Sequence, residues 1–240
     1  MFRHKGKART LKHNLKIASL LSFVAGIVNV AGFLSVQRLT TNVTGHFAFF
    51  VDEIFKLNFT GGLIFLLYII FFFLGSFFSN FLVEIISRRS ERFVFTAPIA
   101  IESIILISVA FFGQSYILQY PNVIACSLLF AMGLQNSLVT KISNALVRTT
   151  HLTGLFTDLG IELSQLFFYN TKEEKEKLFS SIKLRMRIIS FFFIGGVIGG
   201  MFYSKSGLYV LLIGAISLII GLIYDNVKVK IILLTKKLSN

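Results

Sequence analysis

The side chains most able to do chemistry in this sequence fall into two groups, polar residues inside apolar stretches and a threonine–glycine motif that occurs twice. Glu102 is the sole charged residue between positions 93 and 113. A carboxylate at a bilayer centre costs at least about 2.5 kcal/mol on insertion scales, so it should be protonated, paired or facing water. A proton-coupling group meets that requirement. So does a neutral acid bonded to a neighbouring helix, with the carbonyl freed by Pro98 as its partner. Asn29 and Asn136 each follow a glycine by three positions, at Gly26 and Gly133, and so share a helical face with it. Such a face either packs spans tightly or lines a polar path between them, and Gln135 adds a second amide beside Asn136.

Residues 40–54 read TTNVTGHFAFFVDEI and residues 149–163 read TTHLTGLFTDLGIEL. Thr40, Thr41, Thr44, Gly45, Phe47 and Glu53 of the first match Thr149, Thr150, Thr153, Gly154, Phe156 and Glu162 of the second. Threonine or asparagine at a helix start accepts hydrogen bonds from the free N–H groups of the first turn. Glycine lets backbone or ligand approach closely. Each motif is followed by an amphipathic stretch too short to span, residues 47–57 and 155–168. The expected structure is a long span, a break, then a short helix at the interface or dipping inward.

Helix N-termini attract anions, and Arg148 and Arg38 precede the two motifs. The expected substrate pathway therefore comprises Thr41, Thr44, Gly45, Thr150, Thr153, Gly154 and Arg148, together with Asn29, Asn136 and Gln135. Ordinary capping, with the arginines reaching to headgroups, is the alternative and is favoured for Arg38. His46 and His151 lack partners at metal-ligand spacing, so capping or headgroup contact is expected of them and no metal site is expected. Glu53, Asp158 and Glu162 read as solvated faces of the short helices. The run 172–177 reads as a charged linker.

The elements that must hold these residues follow from composition. The 240 residues are 55% hydrophobic and 15% charged, with a mean hydropathy of +0.77, far too little polar surface for a soluble domain. Six stretches meet the length of about 20 residues that crossing a bilayer requires, at 17–36, 60–83, 93–113, 121–140, 188–204 and 206–224. Lipid offers unpaired backbone no partner, and runs such as residues 63–74 exclude the alternation of a barrel strand, so the spans are predicted to be helices. The first span follows a basic segment, but it is too long for a cleaved signal and lacks a good cleavage site.

All but three of the 24 lysines and arginines lie in the N-terminal segment, after the second span, between residues 141 and 187, or beyond residue 225. Arg38, Lys56 and Lys205 occupy the alternate loops. This bias predicts cytoplasmic termini in a bacterial inner membrane, and the net charge of +13 is assigned to topology and anionic lipid. No basic, aromatic-interleaved face suggests nucleic acid. Cys126, the single cysteine, reads as a small core residue.

The repeat extends beyond the threonine motif. Gly26–Asn29 matches Gly133–Asn136, and Phe71–Gly75 matches Phe191–Gly195. Because the copies fall at the first and fourth spans, an odd number of crossings separates them and the halves must be inverted. The predicted fold is all-α, with an N-terminal segment 1–16, three-span halves at 17–113 and 121–224, and a basic tail at 225–240. Inverted halves are the architecture of many secondary transporters. A duplication kept for packing alone is the other reading.

The run Ala131-Met-Gly-Leu-Gln-Asn-Ser137, with Val147-Arg-Thr-Thr-His-Leu-Thr-Gly154, resembles the YoaK family of bacterial membrane proteins, which has no established function. Phe23-Val-Ala-Gly26 through Gly32-Phe33, then Asn42-Val-Thr-Gly45, resembles the first-half pattern of that family. There an asparagine usually follows the glycine, where this chain has His46. The resemblance spans residues 17–221 and implies an inner-membrane helical fold without implying a substrate.

Three functions stay open on these residues: a secondary transporter of a small, anionic solute, a passive channel, and a structural or regulatory membrane protein. No phosphate loop, His-Glu-x-x-His or paired serine nucleophile points to an enzyme or to a cofactor. A homodimer is compatible with so small a transporter.

Overall fold

The computed structural model describes residues 10–88, 94–143 and 145–238, with side chains described as far as residue 224. Its elements are helical throughout the described residues. In order they are α1 (Leu11–Val36), α2 (Thr44–Phe55), α3 (Phe59–Ser87), α4 (Thr96–Ser108), a π-turn (Val109–Gly113), α5 (Gln114–Tyr116), α6 (Pro121–Ser143), α7 (Leu152–Gln165), α8 (Lys172–Ser206), a 3-10 turn (Gly207–Val210) and α9 (Leu211–Leu238).

Five helical stretches are long and apolar enough to cross a bilayer: Leu11–Val36, Phe59–Ser87, Thr96–Tyr116, Pro121–Ser143 and Lys172–Tyr224. The chain is a multi-pass membrane protein. The outer face of α3 carries a stacked ladder of Phe73, Phe77 and Phe81, all exposed, with ring centroids 6.4 and 5.9 Å apart. A surface of that kind suits hydrocarbon rather than water. The run 172–177, read from sequence as a linker, instead forms the start of α8. Thr171 caps it, and its side chain accepts from the backbone N–H of Glu174.

The last stretch, at 53 residues, is far longer than one crossing needs. Gly207 breaks it at φ +56, a left-handed conformation that a side chain would strain. The Gln114 side chain accepts a hydrogen bond from the Leu208 N–H at 2.8 Å, so the end of the α4 arm pins this turn. Contacts on either side show that the chain reverses. Moving up α1, Phe23 and Ile27 meet Gly195 and Gly199 of α8 in ascending order, so those helices are parallel. Lys16 meets Tyr224 and Val24 meets Gly214, so α9 runs against α1. It runs against α4 as well, since Leu106 meets Gly214 and Gly113 meets Leu208.

The tightest packing rests on four glycines. A Cβ on Gly26 would overlap the Phe192 carbonyl, and one on Gly195 would overlap the Phe23 carbonyl, so α1 and α8 lock backbone to backbone. Gly133 meets the Phe72 carbonyl and Gly75 the Phe130 carbonyl in the same way, locking α6 to α3. Small residues at helix crossings are the usual device for close approach where burial from water supplies no drive. Tyr68 bonds Asn122 at 2.5 Å near one end of this second pair, and Lys141 bonds Glu84 at 2.8 Å near the other. α3 and α6 are therefore parallel.

Candidate functional site at the second helix break

Both threonine–glycine motifs form the expected breaks, and α2 and α7 are the short helices that follow. Their threonines do not cap them. The N-cap residues are Val43 and His151, neither with a side-chain cap hydrogen bond, and Thr44 and Thr153 lie exposed inside the first turns. The weak cap at α2 comes from Asn42, whose side-chain oxygen accepts from Gly45 N–H at 3.4 Å. The other threonines turn back toward the preceding span. Thr41 donates to the Asn29 side-chain oxygen at 2.7 Å, and Asn136 donates to the Thr150 hydroxyl at 2.8 Å. Buried Thr40 donates to the Val28 carbonyl at 3.0 Å, while buried Thr149 accepts from Gln135 and donates to Asn136, at 3.2 and 3.3 Å. Each break is stitched to its span by an amide, which accounts for the paired spacing of asparagine and threonine.

The two breaks do not meet. Gln135 at the second break reaches the Leu21 carbonyl at 3.1 Å. Asn29 lies eight positions further along α1, about 12 Å away, and the first break begins beyond Val36. Asn29, Thr41, Thr44 and Gly45 thus belong to one end of α1, and Gln135, Asn136, Arg148, Thr150, Thr153 and Gly154 gather toward the other.

At the second break the side chains enclose a cavity of about 280 Å³ lined by Arg148, His151, Gly154, Asp158, Ser181 and Arg185, among others. Asp158 and Glu162, expected as solvated faces of α7, instead clamp Arg185 of α8. Arg185 donates to Glu162 and Asp158 at 2.8 Å each, and Ser181 donates to Glu162 at 2.6 Å. The Glu162 and Arg185 side chains are only 13% and 21% exposed, so they neutralise one another away from bulk water. Arg148 is exposed and has no ion-pair partner among the described residues. Among the described residues the unpaired cation lining this cavity is therefore Arg148, with the His151 ring lying against Gly154 beside it.

Ala145 lies on the rim of this cavity and also lines a second, of about 510 Å³, between α3 and α6. Ser76, Asn80, Asn136, Ser137, Thr140 and Lys141 complete that lining. Arg185 and Asn80 were not singled out by the sequence. The spacing of Ser76 to Asn80 and of Asn136 to Thr140, four residues in each case, was the signal available for the second cavity.

Glu102 is fully buried, and neither carboxyl oxygen has a hydrogen-bond partner among the described residues. The carbonyl partner expected near Pro98 is not found, because Pro98 stands in the first turn of α4, where its missing N–H disrupts nothing. At the first break, His46 is buried under Tyr68, at 5.0 Å between ring centroids, and donates from Nε2 to the Leu39 carbonyl at 2.6 Å. Burial pushes its imidazole below the ordinary histidine range, against the raising effect of that carbonyl. Arg38 stacks over Phe65 at 5.5 Å, and the Glu53 carboxylate accepts from Asn58 at 2.5 Å. Cys126 is a buried free thiol. No group of three or more metal-ligating side chains forms among the described residues.

A family model described as protein of unknown function (DUF1275) matches residues 17–224. The chain belongs to this family. It is the YoaK-type family to which the motifs around Gly133 and Gly154 pointed. No curated protein and no solved structure matches the chain. The DUF1275 match takes in both breaks, both cavities and all four locking glycines.

Proposed function

We propose that this protein is a secondary transporter of a small solute bearing an acidic group, with its binding site at the second break. The observation that carries this reading is the cavity where Arg148, a cation without a counter-ion among the described residues, faces a break in the membrane helices beside a second polar cavity. Broken helices with exposed N-termini are the usual site architecture of inverted-repeat transporters.

Six crossings in two opposed halves are the architecture this reading uses. The four glycine locks support it, because they are reciprocal under the repeat. Gly26 stands to Phe192 as Gly133 stands to Phe72, and Gly195 to Phe23 as Gly75 to Phe130. In each pair the second span of one half packs against the first span of the other. The parallel pairing of α1 with α8, and of α3 with α6, is what opposed halves require. The distribution of lysine and arginine favours cytoplasmic termini in a bacterial inner membrane. Glu102, carried on the third span, is the proton-coupling group.

Uptake into proteoliposomes tests this. A panel of small carboxylates and phosphates is offered with and without an inward proton gradient. Gradient-driven uptake is expected. Arg148→Gln should weaken apparent affinity about tenfold to a hundredfold, the scale of one charged hydrogen bond. Glu102→Gln should abolish the response to the gradient. Uptake indifferent to the gradient would make the protein a passive channel, and no flux of any solute would contradict transport.

A further inference from the structure

We infer that the cavity between α3 and α6 is a water-filled half-channel that takes a hydrophilic solute from the Arg148 cavity into the span, and that its counterpart between α1 and α8 is apolar and dry. The solute's part in this rests on the transport reading, whereas the water does not. Ser76 and Asn80 lie 11 and 7 positions before the end of α3 at Ser87, so the lining reaches about 16 Å from that end and the Asn80 amide sits about 10 Å in. At that depth each polar group without a partner is costly unless water reaches it. The Asn80 amide and the Ser137 and Thr140 hydroxyls have no partner among the described residues, though the Ser76 hydroxyl donates to the Gly133 carbonyl at 3.1 Å. The volume of about 510 Å³ holds several waters.

The repeat supplies an internal control. Superposing Gly26 on Gly133 and Phe192 on Phe72 places Val30, Phe33 and Leu34 where the other half has Ser137, Thr140 and Lys141. It also places Gly196 and Gly200 where the other half has Ser76 and Asn80. Every hydrophilic lining residue except the asparagine, Asn136 against Asn29, is replaced by a hydrophobic residue or glycine. That asparagine is the one used in stitching the break. The cavity at Val30 and Gly196, about 420 Å³, has an apolar lining completed by residues such as Leu152, Phe156, Phe192 and Phe193, and offers water no polar partner. A duplication kept for packing would have no reason to make one groove polar and the other greasy. The polar groove and the Arg148 cavity share Ala145 in their linings, at the same end of the groove as the Lys141–Glu84 ion pair.

Single cysteines introduced into a Cys126→Ala full-length chain test the inference in vesicles of both orientations. Asn80→Cys and Ser137→Cys should react with a charged, water-borne methanethiosulfonate at least about tenfold faster than Val30→Cys and Phe33→Cys, because thiolate forms only where water reaches. Equal, slow reaction at all four positions would overturn the half-channel. Ser137→Leu, tested for uptake, should cut flux if the groove is the solute's route. Unchanged flux with the cavity filled would overturn that route. Rapid labelling of Asn80→Cys and Ser137→Cys in a protein that moves no solute would leave the hydrated groove standing and refute transport instead.

Discussion

Arg185 shows how a site residue stays hidden in a sequence. Its partners Asp158 and Glu162 lie 27 and 23 positions away on another helix, and α7 and α8 must fold together before the triad exists. Glu162→Gln should therefore cost about 1.5–3 kcal/mol, the scale of a lost charged hydrogen bond. Thermal unfolding in detergent would read this as a lowered midpoint, whereas Glu173→Gln, in an exposed pair, should change little. The threonines were legible as paired and only half legible in role. The sequence placed Thr41 and Thr150 at helix breaks, but their hydroxyls turn back to Asn29 and Asn136 because an unpaired amide in a span costs more than an uncapped first turn. His46 makes a pH prediction. Its folded-state pKa is below the ordinary 6.5, so the unfolded chain binds the extra proton as pH falls. The stability of the neutral imidazole is present above that value and is lost as pH drops through it. Between about pH 7.5 and about pH 5, wild type should lose more thermal stability than His46→Phe. An equal loss in both would contradict a buried neutral histidine.

At the scale of elements, the spans were legible because lipid leaves a chain few options. Long uncharged runs must be helical, and α1, α3 and α6 contain the predicted stretches at 17–36, 60–83 and 121–140. What could not be read were partners, since hydrophobic periodicity carries little information when both core and surroundings are apolar. The locking glycines decide the partners. Replacing Gly75 or Gly195 with valine drives a side chain into the facing Phe130 or Phe23 carbonyl, so each should lose at least about 1–3 kcal/mol. The readout is the fraction of folded, monodisperse protein after extraction, and the two variants should fall together. Gly160→Ala on α7, where a Cβ meets nothing within 4 Å, is the control and should gain slightly through helix propensity. The start of α8 was misread as a linker because its charges hid a capped helix N-terminus at Thr171.

At the scale of the molecule, the proposed architecture of the 240 residues is two opposed halves that exchange their second spans. α1 with α8 and α3 with α6 are each locked, so movement between them, rather than within either pair, is the expected opening mode. The opposition of the halves is tested directly by an impermeant maleimide. Leu146→Cys, beside the second break, and Lys56→Cys, after the first, are placed singly in the Cys126→Ala chain in intact cells. Opposed halves predict that Lys56→Cys is labelled from outside and Leu146→Cys only after the membrane is opened. Labelling of both from the same side would contradict that opposition.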